Sequence, residues 1–149
     1  MKKQLQQRKE SGFTIVEVLI VLAIAGLIIL VVLLAVPALQ RNGRNTSIKS
    51  DASAVAGGIS EYQSNNDGAM PTDVDGTGTV TISGAGEDTT AKVQGSTEVS
   101  TGTDQEPALG TIVVNLGQRC DGSTNARAAA VWYSIENSSG EPQYKCVDS

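Results

Sequence analysis

The chain is constrained above all by an uncharged apolar run from Val18 to Leu39, with the acid Glu17 at its mouth and Lys2, Lys3, Arg8 and Lys9 ahead of it. A helix rises about 1.5 Å per residue, so a run of this length spans the roughly 30 Å hydrocarbon core of a bilayer. It predicts a transmembrane helix. The four basic residues, against the single acid Glu10, put the N-terminus on the cytoplasmic side and send the remainder outward.

Three plainer readings compete, and each meets an obstacle. A secretory signal has an apolar core of about 7 to 15 residues and a small-residue cleavage site; this run is longer, and only Val36-Pro37-Ala38 offers a weak site of that kind. A plain single-pass anchor accounts for length and orientation but not for Glu17, because a carboxylate at membrane depth costs about 2 to 3 kcal/mol or more. A buried core helix needs neither the length nor the basic flank.

The segment Gly12-Phe13-Thr14-Ile15-Val16-Glu17, with its basic leader and the apolar run behind it, closely resembles the type III signal of type IV pilins and type II secretion pseudopilins. The resemblance covers about the first 64 residues. It implies that residues 1–12 are a cytoplasmic leader removed by a prepilin peptidase, which cuts between Gly12 and Phe13 and methylates the new amine of Phe13. It also implies that residues 13–39 form the transmembrane and polymerisation helix, and that Glu17 is the acid kept within it. A helix-breaking proline or glycine in such a helix can mark a stretch that melts in filaments; Pro37 lies rather far along for that, and Gly43 weakens the helix locally.

Elementary electrostatics supplies a role for Glu17. Cleavage would create an amine on Phe13 with a reference pKa near 7.7 to 8, cationic at neutral pH, and a carboxylate one helical turn away or on a neighbouring subunit is its natural partner. A pair between subunits favours one axial register of sliding apolar helices over others. The plainer alternative is that Glu17 only reaches to the headgroups.

Sixteen acids oppose eleven bases, and loss of residues 1–12 leaves fifteen against seven. Capture of nucleic acid needs a basic surface, so no nucleic-acid partner is expected for this subunit alone. Arg41 and Arg44, just beyond the apolar run, are expected at the outer headgroups. Ile48, Ala52, Val55, Ile59 and Tyr62 then recur at spacings of four and three, predicting an amphipathic continuation of the helix over residues 40–64, with Asp51 off its apolar stripe. The Gly57-Gly58 pair weakens the helix but permits close approach of another element. Asn65-Asn66-Asp67-Gly68 ends it.

Residues 65–149 read as an extracytoplasmic β head. From about 73 to 105 Gly, Thr, Ser, Asp and Glu dominate, which predicts exposed loops with one or two edge strands at most. Strand signals strengthen in Gly110 to Leu116, Arg127 to Ile135 and Gln143 to Val147, with Asn137-Ser138-Ser139-Gly140 as a hairpin turn. The expected fold is α+β: a long N-terminal helix, transmembrane in its first half and amphipathic in its second, packed on a small C-terminal antiparallel sheet.

Cys120 and Cys146 lie in the translocated part. Pilins often staple their C-terminal region, so the resemblance implies a disulfide between them, and the oxidising compartment agrees. With no histidine in the chain, two cysteines cannot complete a tetrahedral metal site without carboxylates. No metal or other cofactor is expected. The lack of histidine also removes the usual triad and neutral-pH base, and no Gly-x-Ser-x-Gly occurs, so no enzymatic activity is expected.

The function implied is a structural prepilin of a type IV pilus. It would wait in the cytoplasmic membrane with its head outside, then assemble with copies of itself into an extracellular filament, or a periplasmic one in the case of a pseudopilus. Resemblance alone implies an assembly platform and an ATPase motor as partners. The alternatives are a minor or competence pilin, a type II secretion pseudopilin, or an unprocessed membrane-anchored surface protein.

Overall fold

A computed structural model describes residues 12–149. The leader expected over residues 1–12 therefore lies, apart from Gly12, outside the described residues. Helix α1 runs Ile15–Asn65, passing through Pro37 and Gly43 without interruption. The chain divides into two compact units after Ala38.

In the first unit α1 is the sole regular element among the described residues, and none of its large apolar side chains is buried. It is the one described helix long and apolar enough to cross a membrane. Among the described residues of the unit the apolar side chains of this stretch are exposed, a surface suited to lipid or to other protein.

The second unit, Leu39–Ser149, packs the later part of α1 on a seven-stranded sheet. Its strands are β1 (Asp73–Thr77), β2 (Thr79–Ser83), β3 (Thr89–Lys92), β4 (Glu98–Thr101), β5 (Thr111–Gln118), β6 (Thr124–Glu136) and β7 (Pro142–Asp148). The spatial order is β3-β2-β1-β4-β5-β6-β7. All neighbouring pairs are antiparallel except β4 with β5, which run parallel with Val99 opposite Ile112 and Thr101 opposite Val114. The α+β class with a helix on a mostly antiparallel sheet is thus the observed one.

The helical stripe forms one side of the core. Ile48, Ala52, Val55, Ile59 and Tyr62 are all buried, and they meet Val74, Val80, Ile82, Val99, Ile112, Val114, Ala129, Val131 and Tyr133 from the sheet. Full burial of each large apolar side chain stabilises by about 1.5 to 3 kcal/mol before entropy is counted. Gly58 is where helix and sheet come closest: a Cβ placed there would stand 2.6 Å from Ile82 Cδ1 and 3.1 Å from Ala91 Cβ. The adjacent Gly57 has no such neighbour. The helix ends on Asp67 (φ 54) and Gly68 (φ 81), with the Gly68 N–H donating to the Gln63 carbonyl at 2.7 Å, a left-handed cap that satisfies an otherwise open carbonyl.

Two expectations are corrected here. The stretch from 73 to 105 is not loop with an edge strand or two; it contributes β1 to β4, four of the seven strands. Each of these strands places only one or two residues in the core, such as Val74, Val80 with Ile82, Ala91 and Val99. Gly78 (φ 74) sits between the paired Thr77 and Thr79 and turns β1 into β2. With so few apolar residues per strand, pairing with neighbours rather than local alternation decides the structure.

The second correction concerns Asp51, which is off the apolar stripe yet only 4% exposed. Its carboxylate accepts hydrogen bonds from the Thr97 hydroxyl at 2.6 Å and the Gln94 N–H at 3.1 Å. It ties α1 to the β3–β4 connection.

Candidate processing and assembly site at the start of the helix

Gly12, Phe13 and Thr14 precede the first helical residue, and all three are exposed, Phe13 at 89%. The Gly12–Phe13 bond therefore lies outside the helix, where its backbone is not engaged in the i to i−4 ladder.

Thr14 and Glu17 explain why the helix begins where it does. The Glu17 carboxylate Oε2 accepts from the Thr14 N–H at 2.9 Å and from the Thr14 hydroxyl at 2.7 Å, while the Glu17 N–H donates to Thr14 Oγ1 at 3.3 Å. This reciprocal arrangement is a capping box, which satisfies donors that the first turn of a helix leaves open. Thr14 is a residue that the sequence reading passed over. Its signal, Thr-x-x-Glu directly before an apolar run, was present in the chain. The nitrogen of Phe13 is a peptide amide while Gly12 is attached, so in this state Glu17 finds its partner in Thr14 of the same chain. Glu17 also stands in the first turn, where the helix dipole favours an acid.

Arg41 and Arg44, expected at the outer headgroups, both reach residues of the head. The Arg44 guanidinium meets Glu136 at 2.7 and 3.0 Å in a two-pronged ion pair, and Arg41 Nη1 donates to the Ser138 carbonyl at 2.9 Å. Asn45 adds two bonds to the main chain of Glu136, donating to its carbonyl at 2.8 Å and accepting its N–H at 2.8 Å. Hydrogen bonds from Arg44 hold the Glu136 carboxyl below the usual range, with the nearby positive charge of Arg44 and of Arg41 adding to it. Helix residues 41–45 thus clasp the end of β6 and the turn after it.

Cys120 and Cys146 are joined, with Cα atoms 5.7 Å apart, and tie the β5–β6 connection to the edge strand β7. Asp148 reinforces the junction by accepting the Cys120 N–H at 2.7 Å. Asp121, next to the bridge, accepts the Ser123 N–H at 2.8 Å, and hydrogen bonding to Ser123 holds its carboxyl below the usual range. Nothing connects these head residues with Gly12, Phe13 and Glu17 into one site; they are separate features. No cluster of three or more metal-binding side chains occurs among the described residues.

No curated protein and no solved structure matches the chain. Residues 7–33 match the family model described as the prokaryotic N-terminal methylation motif, a stretch that takes in Gly12, Phe13, the capping box and most of the apolar run. The start of the chain is therefore similar to a prokaryotic N-terminal methylation motif.

Proposed function

We propose that this chain is the precursor of a structural, non-enzymatic subunit of a type IV pilus. The supporting observation is the methylation motif over residues 7–33, in which Glu17 stands at the start of an exposed apolar helix and accepts hydrogen bonds from Thr14. The precursor sits in the cytoplasmic membrane with its head outside. Prepilin peptidase cleaves after Gly12 and methylates Phe13. The freed amine then competes with Thr14 for the Glu17 carboxylate, and pairing with the amine of a neighbouring copy sets the axial register between helices. The apolar helices of successive copies supply the area that drives assembly, through contacts that do not close into a ring. An assembly platform and an ATPase motor serve this step, and the filament shows an acidic, disulfide-stapled head to its surroundings.

Shearing of surface filaments followed by mass spectrometry of their main subunit tests this. The expected result is a chain beginning at N-methylated Phe13. A filament-free surface, or a mature protein that retains Met1 to Gly12, overturns the proposal. Glu17→Gln is expected to keep membrane insertion and to lower filament yield at least tenfold.

A further inference from the structure

The sheet has a second face, turned away from α1. Side chains alternate along a strand, and Val114 with its cross-strand partner Val131 belongs to the core under α1. Val113, opposite Trp132, and Asn115, opposite Ala130, therefore point the other way. Val113, Asn115 and Ala130 are nevertheless 7%, 2% and 0% exposed. Strands β4 and β5 are parallel neighbours, so the chain between them, residues 102–110, has to return along one face of the sheet, and α1 takes the other. The fully buried Pro107 lies in this return. At its start a Cβ placed on Gly102 would stand 3.2 Å from Val113 Cγ1.

Polar atoms are shut into this layer without partners. Neither the nitrogen nor the oxygen of the Asn115 amide makes a hydrogen bond among the described residues, and the buried Trp132 Nε1 makes none either. Such groups are costly to leave unmet in an interior. Asn115 and Trp132 stand diagonally across the β5–β6 pair, where backbones are about 7 to 8 Å apart and long or aromatic side chains come within reach of each other. The other neighbours of Asn115 on this face are small. Ala130 lies opposite, Ala128 lies on the second diagonal, and Gly102 is one step beyond Thr101, which pairs with Val114. Alanine and glycine leave room beside the amide that no longer side chain takes up.

We propose that the layer between the sheet and residues 102–110 holds an internal water molecule that bridges the Asn115 amide and the Trp132 indole N–H. The chemistry of the unmet groups selects water. None of them is charged, and together they comprise donors on both residues and an acceptor on Asn115, which water answers as acceptor and donor at once. The bridge lashes β5 to β6 on the side that α1 does not reach.

Crystals of the full chain grown in a lipid mesophase, at a resolution that shows ordered water, test this. A water within hydrogen-bond distance of both the Asn115 amide and Trp132 Nε1 is expected in the parent. It should be lost in Asn115→Leu, which has about the same size and no polar side-chain atom. Trp132→Phe, which removes the indole donor alone, should keep the water on Asn115, and it serves as the comparison if Asn115→Leu does not fold. A direct hydrogen bond between Asn115 and Trp132 in the parent, a layer packed dry, or a water that stays at full occupancy in Asn115→Leu overturns the proposal.

Discussion

The Arg44 guanidinium of the helix and the Glu136 carboxylate at the end of β6 form a two-pronged pair at 2.7 and 3.0 Å across 92 residues of sequence. Because Glu136 is held below the usual carboxyl range, its ionised form is favoured by folding. The stabilisation is present above the unfolded carboxyl pKa, about 4.3, and is lost as pH falls through the lower folded value. Glu136→Gln should therefore melt earlier than the parent at pH 7, and the two melting curves should converge at acid pH. With the Arg44 side chain 58% exposed, 1 M salt should also narrow the gap. Thermal melts followed by circular dichroism check both.

Asp51 and Thr97 predict a larger effect. Asp51→Ala removes the acceptor of both the Thr97 hydroxyl and the Gln94 N–H, each a loss of about 1 to 3 kcal/mol when the group is left unpaired in the interior. Urea denaturation of the head should show a total loss of about 2 to 4 kcal/mol. Asp51→Asn, which retains one carbonyl acceptor, should lose less.

Neighbouring glycines should respond in opposite directions. Gly57→Ala adds a methyl into open space and removes a weak helix former, a gain of about 0.5 to 1 kcal/mol. Gly58→Ala drives its methyl against Ile82 and Ala91, overpacking that costs about 1 to 3 kcal/mol. Equal effects in chemical denaturation would refute the helix-to-sheet approach at Gly58.

The bridge between Cys120 and Cys146 closes a loop of sequence separation 26. In the chain-entropy model its loss destabilises by about 3.5 kcal/mol. The double variant Cys120→Ser with Cys146→Ser should lower the denaturation midpoint by a matching amount. The parent treated with reductant should follow it.

Much of the fold was legible in the chain. The apolar run, the acid at its mouth and the 4-3-4-3 stripe from Ile48 to Tyr62 are local patterns, each confined to one helix, and periodicity alone exposes them. The later strands β5 to β7 were legible for a similar reason, since β-branched and aromatic residues are dense there: Ile112, Val113 and Val114 follow one another in β5, and Val131, Trp132 and Tyr133 in β6. Strands β1 and β4 were not, because Val74 or Val99 among Thr, Gly and Asp has no local pattern to show, and each gains its stability from strands distant in sequence.

The same division separates the functional features. Gly12, Phe13 and Glu17 were readable because the signal is contiguous, and Thr14 could have been read from the Thr-x-x-Glu pattern. Asp51 and Arg44 could not. A carboxylate off the apolar stripe reads as solvated, and an arginine after an apolar run reads as a headgroup anchor, until the chain brings Thr97 and Glu136 beside them. Sequence by itself determined the membrane-length helix, its methylation motif and its amphipathic continuation, since these depend on residues within a few turns of one another. Tertiary structure alone decided the seven-strand order, the buried carboxylate and the clasp at Glu136, because burial and ion pairing depend on which distant segments pack together.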